Sequence, residues 1–197
     1  KKKLDGDSLT QLTFEGRNFF PSWSPDGEWI AYRRSYGWPE EQSVQGLWKL
    51  RIDNNDKIQY FEGNSGYPIW IDDVNILFAQ GKVDNFGILL GFNFYIINSI
   101  INFLYNISFI SETNSISNYN YSNSKILYTS FSNTDGLPAL WIMDADGNNL
   151  QKLINKGYSG DWSPDGKKIV YTDSRPGNGR LWIMNIENEE KYQLTFE

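Results

Sequence analysis

The chain has 197 residues, a formal net charge of −6, and neither cysteine nor histidine. The missing cysteine excludes disulfides and thiol chemistry, and the missing histidine removes the commonest general base and the commonest zinc ligand. No basic patch is evident beyond Lys1 to Lys3 and Arg33-Arg34, so nucleic acid, whose phosphates require one, is not an expected partner.

In chain order, Leu4 to Gly16 (LDGDSLTQLTFEG) reads as a polar turn followed by a short strand. Its Gln11-Leu12-Thr13-Phe14-Glu15 recurs at the other end as Gln193-Leu194-Thr195-Phe196-Glu197. Pro21 to Tyr32 (PSWSPDGEWIAY) is strand, turn, strand. Pro25 fixes φ, Asp26 bonds back to its own backbone, and Gly27 takes the positive-φ position of the turn. The longest connection, Arg33 to Gly46, leads to Leu47-Trp48 in a third strand. A weaker copy follows, with Trp70, an Asp72-Asp73 turn, Asn75 to Phe78 and Phe94 to Asn98. Gly87 to Ile110 is long and apolar enough to raise a membrane span. Asn93, Asn98, Asn102 and Asn106 argue for two strands instead, because each amide would need a partner in lipid. A third copy has Tyr119 to Asn123 as first strand and turn, then Ile126 to Thr129 and Leu140 to Met143. The last runs from Ser159 to Glu197, with Asp165 and Gly166 in its turn, then Lys168 to Thr172, Leu181 to Met184 and Tyr192 to Thr195.

The anchors Trp23, Trp70, Tyr121 and Trp162 are 47, 51 and 41 residues apart, around the period of four-stranded propeller blades. One such sheet has two open edges and too little core to stand alone, so the copies must form an array. The expected fold is all-β: a propeller of four-stranded antiparallel blades in one domain, 1–197. Blade one spans 18–63, an eroded blade two 64–107, blade three 108–157 and blade four 158–197, with 1–16 as an additional outer strand. That spare strand can extend a blade edge, and exposed edges offer a route to self-association.

WSPDGKKIVYT followed by LWIMN and a closing QLT resembles the WD-like repeat of the TolB family, a repeat that also builds the propeller domains of prolyl-oligopeptidase-type peptidases. The resemblance covers nearly the whole chain. It is strong at Trp23 to Gly27 and Trp162 to Gly166, and poor between Gly81 and Ser115. It implies the propeller fold, and it implies export, hence a periplasmic or extracellular location that the residues themselves do not fix. The chain opens on Lys1, as a mature or trimmed product would.

Chemistry is sparse. Asp26 and Asp165 read as structural turn residues. Asp144 to Asn148 faintly resembles a calcium loop, but Asn155 stands where the loop's last glutamate belongs, and similar turns recur at Asp5 to Asp7 and Asp53 to Asp56. No metal, cofactor or catalytic residue is assigned, and without histidine no familiar triad can be assembled. The expected function is therefore a non-catalytic scaffold for protein–protein interaction. Two alternatives stay open: an accessory or gating propeller of a prolyl-oligopeptidase-like peptidase, and a propeller binding a glycan or small ligand. Binding is expected on the rim of inter-blade and second-to-third-strand loops, at Arg17, Arg33, Arg34, Tyr36, Trp38, Arg175 and Arg180, with Glu15 and Asn18 beside them.

Overall fold

The computed structural model describes residues 10–36, 44–63, 65–83, 89–100, 103–110, 113–132, 135–175 and 179–196. Among the described residues sixteen strands form four sheets, each ordered as in the sequence and antiparallel throughout. The first sheet holds β1 (Arg17–Trp23), β2 (Trp29–Tyr36), β3 (Val44–Arg51) and β4 (Lys57–Glu62). The second holds β5 (Ile69–Trp70), β6 (Asn75–Val83), β7 (Leu89–Asn98) and β8 (Phe103–Ile110). The third holds β9 (Thr113–Ser122), β10 (Lys125–Ser132), β11 (Pro138–Asp144) and β12 (Gln151–Asn155). The fourth holds β13 (Gly157–Trp162), β14 (Lys168–Asp173), β15 (Arg180–Asn185) and β16 (Lys191–Gln193). This is a β-propeller of about four blades.

Turn chemistry sets each blade. In blade one the Ser24 hydroxyl donates to Asp26 Oδ1 (2.5 Å) and accepts the Trp29 N–H (2.9 Å), while Asp26 Oδ1 also accepts the Glu28 N–H (2.9 Å). Blade four repeats the pattern with Ser163, Asp165, Lys167 and Lys168 (2.6, 3.1 and 2.9 Å). In blade two Asp72 alone caps the turn, accepting the Val74 and Asn75 N–H groups at 2.8 and 2.7 Å. Blade three shortens it to Asn123-Ser124, both at positive φ, as a tight two-residue hairpin requires. In β1 and β13 the register slips at a bulge, with Phe20 and Ser159 at positive φ, each three residues before its anchor tryptophan.

Alternation along the strands gives every blade two apolar faces. The leading face packs back on the preceding blade, and the trailing face receives the next. Ile76, Phe78, Ile97 and the anchor Trp70 pack on Ala31 and Leu47 of blade one. Ile126, Tyr128 and Met143 pack on Leu77, Ala79 and Phe94 of blade two. Ile169, Tyr171 and Met184 pack on Leu127, Leu140 and Ile154 of blade three. One frame thus builds three inter-blade cores.

Gly87 to Ile110 contributes the antiparallel pair β7 and β8. Among the described residues no helix is long and apolar enough to cross a membrane. Residues 10–16, expected to form an outer strand, lie outside any strand. Their counterpart near the other end has an inner neighbour to pair with, since the Leu194 N–H bonds the Leu181 carbonyl at 2.8 Å. Residues 11–15 follow no described strand that could play that part. Residues 1–9 lie outside the described residues.

Candidate functional site: the rim of blades one and four

The described residues expected on the rim fall into two groups, one on each of two sheets. In blade one, pairing of β1 with β2 sets Arg17 opposite Ser35, Asn18 opposite Arg34 and Phe19 opposite Arg33, so three arginines share one end of the sheet. Arg17 is exposed. Arg33 is half-buried and donates from Nη2 to Gln45 Oε1 at 2.5 Å, and burial draws its pKa below the ordinary guanidinium value. Arg34 is buried. It donates from Nη2 to Glu15 Oε2 at 3.0 Å, with its guanidinium carbon 5.0 Å from the Trp48 ring centre. Tyr36 ends β2, its backbone paired with Val44. Trp38 lies outside the described residues.

In blade four the centre is Asp173, whose side chain is only 2% exposed. It accepts from Arg175 N–H at 2.9 Å and from Arg175 Nε at 3.0 and 2.9 Å, and is also bonded by Arg175 Nη2. The Arg175 bond, reinforced by the backbone N–H, holds the Asp173 carboxyl below its ordinary pKa even though burial acts the other way. Arg180 faces Asp173 across β14 and β15. It is half-buried, and its Nη1 has no hydrogen-bond partner among the described residues.

Several of these partnerships lie beyond a reading of residue types. Glu15, Gln45, Trp48 and Asp173 are the groups that hold the rim arginines. One signal does exist: Arg34 and Asp173 occupy the same place in β2 and β14 relative to Trp23 and Trp162, so the repeat frame marks that position as a buried polar one.

Several other carboxylates are committed to turns. Asp26 and Asp165 are held below the usual carboxylate range, chiefly by the Ser24 and Ser163 hydroxyls and then by backbone N–H groups. Asp144 accepts from Lys125 Nζ and Asn149 Nδ2, both at 2.6 Å, and Asp146 accepts the Asn148 N–H at 3.0 Å. Among the described residues no group of three or more acidic side chains is arranged to hold a metal ion. A groove of about 500 Å³ between blades two and three is lined by Asn75, Asn98, Asn106 and Asp146 over Ile71 and Ile96. Its amides are partly engaged internally: Asn98 Nδ2 donates to Asn75 Oδ1 at 3.2 Å, and Asn75 Nδ2 to Asp72 Oδ2 at 2.7 Å.

No family model matches the chain. A stretch of 67 residues, 32% of the chain, is 36% identical to the Tol-Pal system protein TolB of Xylella fastidiosa (strain M12), covering 15% of that protein. The crystal structure of TolB from Acinetobacter baumannii superposes on 98% of this chain and 47% of its own, with a TM-score of 0.71 and 18% identity. An oligogalacturonate lyase in complex with manganese superposes on 94% and 55%, at 0.71 and 15% identity. An acylaminoacyl peptidase superposes on 86% and 31%, at 0.63 and 18% identity. The class these likenesses define is the β-propeller. Within that class the chain is TolB-like, and it spans about half the length of the TolB and lyase chains on which it superposes.

Proposed function

We propose that this chain is a non-catalytic propeller scaffold that binds another protein through its rim. The observation that carries this reading is the sequence likeness to TolB, a protein named for the Tol-Pal system, at 36% identity. The structural neighbours, all below that identity, speak to fold alone. The rim supports it. Arg17 is exposed beside Arg33, and arginine is favoured in protein-binding hot spots. The turn carboxylates are hydrogen-bonded in an ionised state, which suits a structural role better than proton transfer.

Cross-linking in the source cells, with Arg17→Glu and Arg33→Glu combined as the control, tests the proposal. A discrete protein adduct formed by the parent and lost in the variant is the expected result. Turnover of oligogalacturonate or of a blocked peptide by the purified chain would overturn it.

A second reading, implied by the repeat's resemblance, is an accessory propeller of a prolyl-oligopeptidase-like enzyme; the acylaminoacyl peptidase that shares the fold is matched over 31% of its own chain. A downstream segment in the same gene carrying a Gly-x-Ser-x-Gly elbow decides for it. A propeller for glycans or small ligands would instead show binding of a glycan panel that Trp38→Ala abolishes without unfolding the chain.

A further inference from the structure

Blade two lacks charge over its whole outer half. From Asn85 to Ser111 the sequence holds no Asp, Glu, Lys or Arg, although these make up 21% of the chain. That stretch supplies β7 and β8, and β8 (FLYNISFI) is the outer strand of its sheet. An outer strand has no neighbour on one side, so a row of backbone N–H and C=O groups faces outward. Propellers keep such edges short and protected. β4 has six residues with Lys57 and Glu62, β12 five with Lys152, and β16 three with Lys191. β8 has eight residues, with neither a charge nor a proline among them. Its pairing is interrupted by a bulge at Ile107, but Tyr60 in β4 and Leu153 in β12 are bulged alike. Length and the missing charges set β8 apart.

The place of β8 in the fold limits what can cover it. Blades stack on sheet faces, as blade two stacks on blade one and blade three on blade two, so a further blade does not reach an outer strand in mid-chain. Lipid would leave the open backbone groups without partners. Another strand pairs them. Leu104 and Asn106 on β8 are exposed, so the strand is accessible. Antiparallel pairing of β8 with its own copy is self-complementary about a two-fold axis and satisfies both edges at once. It is also the contact that charge permits. Two copies carrying −6 each repel, and like charges opposite one another across a strand pair are destabilising. β8 brings none to the contact.

We propose that β8 is a homotypic interface: it pairs antiparallel with β8 of a second copy, joining blade two of each into one continuous sheet across a two-fold axis. Asn106, in the middle of the strand, then lies beside its own copy at the axis. The inference goes beyond the scaffold reading of function and does not rest on it.

Light scattering after size exclusion, across a concentration series, tests it. The parent chain is expected at twice its chain mass and no larger, because the pairing uses up both open edges. Asn106→Lys and Asn106→Asp each bring like charges together at the axis. Each should reduce the chain to a monomer with unchanged far-UV circular dichroism. An equimolar mixture of the two should return to twice the chain mass, because opposite charges then meet. Leu104→Lys serves as a second variant on β8 and should also weaken the dimer. Ile58→Lys, at an exposed position of β4, should leave it intact. A parent that stays monomeric, because another protein or solvent alone covers β8, overturns the proposal. So does growth beyond twice the chain mass, association that survives both Asn106 variants, or a mixture that does not recombine.

Discussion

Asp173 holds Arg175 through both of its carboxylate oxygens, although Asp173 is almost wholly buried and the Arg175 side chain is 58% exposed. The pair fastens the connection after β14 to the strand that built it. Because Arg175 lowers the native pKa of Asp173 from its ordinary 3.8, the carboxylate's contribution is fully present above that value and is lost as pH falls through the lowered native pKa. Asp26, Asp135, Asp144 and Asp165 are shifted in the same direction. Thermal unfolding followed across acid pH should therefore show a melting temperature that drops steeply below the ordinary carboxylate range. Asp173→Asn should melt earlier than the parent near neutrality and show a shallower acid decline, bringing the two curves together at low pH.

Leu140 lies fully buried between Leu127, Ile154 and the leading face of blade four. Leu140→Ala removes buried methyl groups and leaves a cavity in a core shared by two blades, which costs about 2–5 kcal/mol. Leu150, in the exposed turn before β12, is the matched control, and Leu150→Ala should change stability by no more than about 0.5 kcal/mol. Urea unfolding of both variants checks the contrast.

These residues also show how far the sequence carries. Ser-Pro-Asp-Gly turns and the anchors Trp23, Trp70 and Trp162 were legible because turn chemistry and a repeated period are local signals. The extent of β9 was not. Thr113 to Asn118 is Ser/Asn-rich and has weak strand propensity, and it is held in register by β10, a tertiary term that no local window contains. Nor did residue type distinguish a rim arginine that faces solvent from one that is buried: Arg34 reads as a binding residue until Glu15 and Trp48 are seen around it. The alternation that places Ile169, Tyr171 and Met184 on one face was present in the sequence. Its consequence, three inter-blade cores, becomes visible only when neighbouring sheets are seen packed on one another.

Gly27 and Gly166 occupy the same turn with φ near +75° and +67°, yet their surroundings differ. A Cβ at Gly27 meets nothing within 4 Å, so Gly27→Ala should cost only the left-handed backbone penalty, about 1–2 kcal/mol. A Cβ at Gly166 would lie 2.1 Å from Asn123 Nδ2 and 2.7 Å from Ser122 Oγ. Asn123 Nδ2 donates to the Asp165 carbonyl at 3.2 Å across the blade boundary, so making room for a methyl group also breaks that contact. Gly166→Ala should therefore be the more destabilising of the two in chemical denaturation, even though both stand in Ser-Pro-Asp-Gly.

Tyr119 fastens blade three to blade two. Its ring stacks on Tyr67 at 4.2 Å, its hydroxyl donates to the Tyr67 carbonyl, and that same oxygen accepts the Ala79 N–H at 3.0 Å. Tyr119→Phe keeps the ring and leaves a buried N–H and a carbonyl without this partner, a loss of about 1–3 kcal/mol. Burial also raises the Tyr119 hydroxyl well above its ordinary pKa of 10.0, raises Tyr67, Tyr128 and Tyr171, and pushes Tyr60 up to about 12. A native pKa above the unfolded one means that the stabilisation is complete below 10.0 and is lost as pH rises towards the raised native values. Absorbance titration of phenolate should then separate the buried tyrosines from the rest of the twelve. The buried ones should follow together in a single step that coincides with loss of β-sheet circular dichroism. In Tyr119→Phe that step should move to lower pH, because the inter-blade contact resisting it is weaker. A gradual titration of all tyrosines with the sheet signal intact would show that blades two and three are not clasped in this way.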